Sequence, residues 1–130
     1  MLALIFLVLL LLLVQVFLPG HYLTQQVGPQ AQMGPRDNLP EPSLQLARAR
    51  RALGNLQETL PIFLVFAVLA IVLGEQGWVS LAGAVLYLLG RAGHVVCYMA
   101  ALSPWRSISF TVALGGLVLM ALPLLPHIWA

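Results

Sequence analysis

Residues 1–18 contain a single polar side chain, Gln15. A run that long and that apolar matches the about 20 residues a helix needs to cross the hydrocarbon of a bilayer. Three more long apolar stretches follow it. The chain of 130 residues is 61% hydrophobic and 8% charged, against about 45–50% and about 25% in soluble domains. So few polar groups cannot cover a soluble surface. A disordered chain, which needs low hydrophobicity and high charge, is excluded as well. The expected fold is therefore an all-α integral membrane protein: one domain, a bundle of four transmembrane helices with one modest loop.

The spans are expected at about 1–23, 44–73, 78–102 and 106–128, with a polar loop at 24–43. The first carries neither a basic leader nor a small-residue cleavage site, so it reads as a retained span rather than a signal peptide. The loop holds four prolines and two glycines in twenty residues, which places it outside the membrane. Ser43 is a plausible N-cap for the second helix. That helix opens with Arg48, Arg50, Arg51, Asn55, Gln57 and Glu58 and is apolar afterwards. Its charge-free part, Thr59 to Leu73, is too short to span alone, so its polar turns must enter the membrane or be shielded by protein. Pro61 removes one backbone hydrogen bond and is a candidate kink. Tight turns are expected at Gly74-Glu75-Gln76-Gly77 and Ser103-Pro104-Trp105.

All six basic residues are arginines, and four carboxylates oppose them. They form no dense run interleaved with aromatics, which argues against nucleic-acid binding. The single Cys97 cannot form an internal disulfide. Arg36, Arg48, Arg50, Arg51 and Arg106 all fall on one side of the four-span topology, and the other side has Glu75 and no arginine. The positive-inside rule then puts both termini outside and the loop in the cytosol. Trp105 on one side, with Trp78 and Trp129 on the other, fits interfacial belts.

Ionisable groups inside spans are costly and mark function or close pairing. Arg51, Asn55 and Glu58 stand at i, i+4 and i+7 on the second helix. Arg91, His94 and Tyr98 stand at i, i+3 and i+7 on the third. Arg106 opens the fourth helix one tight turn later. Antiparallel packing of helices two and three would gather these groups into one polar pocket opening to the cytosol. Its arginines suit a small ligand bearing carboxylates. Plainer roles exist for the same residues. Glu58 and Arg91 can neutralise each other, Asn55 can bond between helices, and His94 and Tyr98 can pack. Arg48 and Arg50 can face solvent or headgroups, and His21 and His127 can be interfacial. Cys97 reads as a small buried hydrophobe. Gly83, Gly90, Gly93, Gly115 and Gly116 would permit close helix contacts. No zinc spacing, phosphate loop or serine triad is present, so no metal site is expected.

The segment Arg51-Ala52-Leu53-Gly54-Asn55-Leu56-Gln57-Glu58-Thr59 with Pro61, the segment Gly90-Arg91-Ala92-Gly93-His94-Val95-Val96-Cys97-Tyr98, and Arg106-Ser107-Ile108-Ser109-Phe110-Thr111 follow one another in the order of a known signature. Together they resemble the membrane-associated proteins in eicosanoid and glutathione metabolism, the MAPEG family, and the loop Gly34-Pro35-Arg36-Asp37 resembles its bacterial members. The resemblance implies a homotrimer in the bacterial inner membrane, with glutathione as thiol cosubstrate bound between subunits near the cytosolic side. It implies a glutathione transferase or peroxidase acting on lipophilic electrophiles or hydroperoxides. Matched position by position, Arg36, Arg51, Asn55, Glu58, His94 and Tyr98 would bind glutathione. Arg106 would face the thiol, with Ser107 beside it, and Arg91 would be structural. Gly54 replaces a residue that is basic in some eicosanoid-forming members, and Phe110 a tyrosine. Two other classes compete: a four-span proton-coupled or multidrug transporter using Glu58, and a non-catalytic membrane subunit.

Overall fold

In a medium without water each backbone N–H and C=O must be satisfied within its own segment, and a helix does this. The computed structural model describes residues 1–130 and is helical almost throughout. In chain order the elements are α1 (Leu2–Val27), α2 (Pro29–Met33), α3 (Leu44–Val72), α4 (Trp78–Met99) and α5 (Trp105–Ala121), continued by a 3₁₀ helix over Leu122–Trp129. Four helical segments, with α5 and its continuation counted as one, are long and apolar enough to cross a membrane.

The ends differ from expectation where polar residues remain good helix formers. α1 runs on to Val27 because Thr24 Oγ1 bonds back to the Gly20 carbonyl at 2.9 Å and polar side chains are tolerated beyond the apolar layer. Gly28, at φ 89°, is the residue that stops it. The expected loop 24–43 thus gives its first residues to α1 and holds the single turn α2. Gln26 pins the loop's far end: Nε2 donates to the Glu41 carbonyl at 2.6 Å, and Oε1 accepts from Ser43 N at 2.9 Å. Ser43 caps α3 as its sequence suggests, accepting from Leu46 N at 3.2 Å. α3 continues through Pro61. α4 ends at Met99, three residues early, and Ala101 turns the chain in the left-handed region at φ 57°.

α4 and α5 are the most extensively packed pair. A Cβ on Gly116 would collide with the Gly83 carbonyl and the Tyr87 nitrogen, and one on Gly90 would lie 2.7 Å from Ala113 N. These glycines bring two backbones into contact, the usual way helices associate without a hydrophobic drive between them. Gly115, expected in the same role, faces open space.

The core joins all four spans through Val8, Leu56, Phe63, Ala67, Tyr87, Leu117 and Met120. Phe63 stacks on Tyr87 with centroids 4.6 Å apart. Gln15, the exception in the first span, is 1% exposed and turned into the bundle. Large apolar side chains face outward instead, Phe6 and Phe17 among them. At one end of the bundle lie the 28–43 loop and the α4–α5 turn. At the other, His127 Nε2 sits 2.8 Å from Glu75 Oε1, fastening the 3₁₀ helix to the α3–α4 turn.

Candidate functional site

α3 and α4 run antiparallel, so residues spaced by one turn on α3 meet residues spaced by about one to two turns on α4 in reverse order. The result is a polar ladder of three rungs. Nearest the loop end, Arg51 Nε donates to Tyr98 OH at 3.0 Å. Deeper, Arg91 Nη1 donates to Asn55 Oδ1 at 2.8 Å. Deepest, Thr59 Oγ1 and Tyr87 OH lie 3.0 Å apart. Thr59 also donates to the Leu56 carbonyl at 3.3 Å, which leaves Tyr87 as donor in the third rung.

Arg91 is fully buried. No carboxylate pairs with it, and the chain's one ion-pair contact is the distant Glu75–His127. The expected neutralisation of Arg91 by Glu58 is therefore not formed within the chain. The helical period gives the reason. At about 100° per residue, Glu58 falls about 60° from Asn55 around α3. Asn55 and Thr59 turn toward α4, and Glu58 is left exposed on the far edge of the stripe. Asn55 supplies the acceptor in its place.

The fourth helix completes the site. Arg106, in the first turn of α5, lies over the Tyr98 ring with its guanidinium carbon 5.0 Å from the centroid. Arg51 approaches the same ring at 5.8 Å. Phe110 tilts against His94 at 6.0 Å and lies under Arg91 at 5.8 Å. These groups border an open cleft of about 360 Å³ lined by Asn55, His94, Tyr98, Arg106, Ser107, Phe110 and Thr111. Next to it lies a smaller cavity of about 190 Å³, where Arg48, Arg51 and Cys97 join Tyr98 and Arg106.

Of the sequence-selected residues, Arg51, Asn55, His94, Tyr98, Arg106 and Ser107 come together around these two adjoining spaces. Arg36 and Glu58 do not. Arg36 lies out in the loop at φ 63°, with Nε bonded to the Gln32 carbonyl at 2.7 Å. Glu58 lines neither space. The sequence reading missed the third rung, although Tyr87 stands at i−4 from Arg91 on the same face. It also missed Thr111 on the wall of the cleft, which follows from Ser107 at i+4.

The cleft is rich in donors and poor in negative charge: none of the four carboxylates borders it. Arg91 occupies the Asn55 carbonyl oxygen, so the amide's N–H₂ is the end left for a ligand. Such a lining favours anions over cations.

A model of the MAPEG family matches residues 1–125 of the chain. No curated protein matches it.

Proposed function

The chain belongs to the MAPEG family of integral membrane proteins, and from that premise we propose that it is a membrane-bound glutathione transferase or glutathione-dependent peroxidase acting on lipophilic electrophiles or hydroperoxides. The family includes such enzymes, and non-catalytic members as well. The observation that carries the catalytic reading is the cleft itself. Asn55, His94, Tyr98, Arg106 and Ser107 converge on about 360 Å³ with no carboxylate among them. That volume is within the about 300–1,000 Å³ of small-molecule sites, and donors without acids suit a tripeptide with two carboxylates and a thiol.

Glutathione, when bound, supplies a thiol whose anion is the nucleophile or reductant. The protein's part is to hold it and to favour the anion. In this reading the Asn55 amide on the cleft and Arg51 on the adjoining cavity take its carboxylates, Arg51 through the planar fork that pairs with them. Arg106 lies over Tyr98 at the cleft's edge, where its charge favours a sulfur anion. Ser107 adds a hydroxyl donor. A free thiol ionises with a pKa of about 8.5. Lowering it by two units takes about 2.7 kcal/mol of differential interaction, within reach of one well-placed guanidinium. The electrophile enters from the lipid side.

Exposed Glu58 supports the homotrimer. It stands seven residues beyond Arg51, about 10 Å further along the helix, at a depth where a carboxylate facing lipid is costly. A neighbouring subunit covering that edge relieves the cost, and a neighbour's loop could bring Arg36 to the cleft. The arginine-rich loop end faces the cytosol in this reading.

The test is a titration of the purified protein with glutathione at neutral pH, following thiolate absorbance in the ultraviolet for wild type and Arg106→Ala. A saturable signal that disappears in the variant while glutathione still binds is the expected result, with turnover falling far more than affinity. Equal losses of affinity and turnover would remove Arg106 as the thiol-activating residue. Absence of any binding would remove the catalytic reading.

A further inference from the structure

Six side-chain polar atoms are buried with no hydrogen-bond partner in the chain: Gln15 Nε2 and Oε1, Arg91 Nε and Nη2, His94 Nδ1 and Ser80 Oγ. Gln15 and Arg91 take no part in the proposed chemistry, and both are shut off from the surface. They stand on different helices, so whether they meet depends on depth and direction. Hydrogen bonds fix the depth. Gln26 of α1 accepts from Ser43 N at the start of α3, and the two helices run antiparallel with the same rise per residue. Eleven residues back from Gln26 is Gln15, and eleven on from Ser43 is Gly54, next to Asn55. Arg91 donates to Asn55, so Gln15 and Arg91 share one level in the bundle. Direction agrees with depth. Val8 and Gln15 are buried two helical turns apart on α1 and point the same way. Val8 points into the core formed with Phe63 of α3 and Tyr87 of α4. Arg91 follows Tyr87 by one turn on the buried face of α4, and His94 follows Arg91 by another.

The hydrogen-bonding chemistry at this level is unbalanced. Arg91 Nε and Nη2 and Gln15 Nε2 only donate, Gln15 Oε1 only accepts, and His94 Nδ1 does one or the other with its tautomer. Donors outnumber acceptors, so direct pairing among these side chains cannot satisfy them all. Water both accepts and donates, and buried water settles where about two to four polar groups converge. An anion would answer Arg91 and leave Gln15 Oε1 with nothing. We infer that Gln15 and Arg91, with His94 Nδ1 at the edge, form a binding site for buried water in the middle of the bundle. The water ties the otherwise apolar first span to α4 and completes the hydrogen bonding of the guanidinium that holds Asn55. Neither Gln15 nor Arg91 borders the cleft or the smaller cavity, and the site stands whatever the cleft binds.

The experiment exposes the protein in lipid nanodiscs to short X-ray pulses. Water touching a side chain is turned into hydroxyl radicals that oxidise it, and mass spectrometry reads the oxidation residue by residue. Phe63 and Met120, both radical-sensitive and fully buried among apolar groups, report a dry interior, and exposed Met33 reports bulk water. In the wild type Arg91 should be oxidised while Phe63 and Met120 are not. Gln15→Leu keeps the first span apolar and removes both amide atoms. It should lower Arg91 oxidation to the level of Phe63 and leave Met33 unchanged. Gln15→Met, unbranched and close to glutamine in length, should do the same if Gln15→Leu does not fold. Wild-type Arg91 as unreactive as Phe63 would overturn the site without any variant, whether the space is dry or holds an anion. Arg91 oxidation that persists in the folded Gln15 variants would overturn it as well, because the water would then reach Arg91 from the cleft.

Discussion

Asn55 is the residue on which the buried charge depends. It gives Arg91 its one acceptor in the chain, at 2.8 Å, while Nε and Nη2 of the same guanidinium have none. A hydrogen bond to a charged group contributes about 1.5–3 kcal/mol, and a neutral interhelical one in a membrane bundle averages about 0.6 kcal/mol. Asn55→Leu should therefore cost about 1.5–3 kcal/mol, and Thr59→Val, which breaks the neutral rung to Tyr87, well under half of that. Unfolding from mixed micelles with a denaturing detergent gives both values. Comparable losses in the two variants would mean that Arg91 does not rely on Asn55. The identity of these residues was legible in the sequence, and their pairing was not. Spacing put Arg51, Asn55 and Glu58 on one stripe, but where the neighbouring helix meets that stripe decides which member turns inward. A rotation of about 60° separates an inward amide from an outward carboxylate.

Among the elements, α4 and α5 hold the site's walls in register. His94 and Tyr98 come from one, Arg106, Ser107 and Phe110 from the other, and their spacing is set by how closely the two backbones approach. That approach rests on Gly83, Gly90 and Gly116. Gly116→Ala puts a methyl into the Gly83 carbonyl and the Tyr87 backbone, which only helix separation relieves. Overpacking of this kind costs about 1–3 kcal/mol. Gly115→Ala, one residue away, meets open space, and should be neutral or stabilise by about 0.5–1 kcal/mol through helix propensity. Thermal unfolding of the two variants side by side checks this, and equal behaviour would contradict the close α4–α5 packing. The glycines are visible in the sequence as a group. Which of them face a partner depends on the α4–α5 crossing: a Cβ on Gly93 would lie 3.1 Å from Ser109 Oγ, whereas one on Gly115 meets nothing. Helix ends were legible to within a few residues. α1 overran its expected end because Gln25 and Gln26 are polar but compatible with a helix, and its stop is a backbone angle at Gly28.

At the scale of the whole molecule, one chain does not satisfy all its polar groups. Glu58 is exposed along a span, Arg36 lies away from the cleft, and the cleft is open on one side. All three are relieved if copies pack around the α3 edge, which is the proposed homotrimer. Detergent-corrected light scattering should return three chains per particle, and Glu58→Arg should lower that number by placing like charges against Arg-rich neighbours. A monodisperse monomer that still binds glutathione would show that the cleft needs no second copy.

The sequence by itself determined that this chain is four apolar helices with one polar loop, because composition and run length leave no other way to satisfy a backbone in a bilayer. It also named Arg51, Asn55, His94, Tyr98, Arg106 and Ser107, since ionisable residues inside spans are few, but with them Arg36 and Glu58, which border neither space, and without Thr111, which does. Only the tertiary structure decided that Asn55 rather than Glu58 answers Arg91, that two spaces share the Tyr98 ring, and that Arg48 belongs with Arg51 and Arg106. Those outcomes depend on helix rotation and crossing, which are fixed by glycine-mediated contacts between segments far apart in the chain. A period along one helix carries no record of what stands opposite.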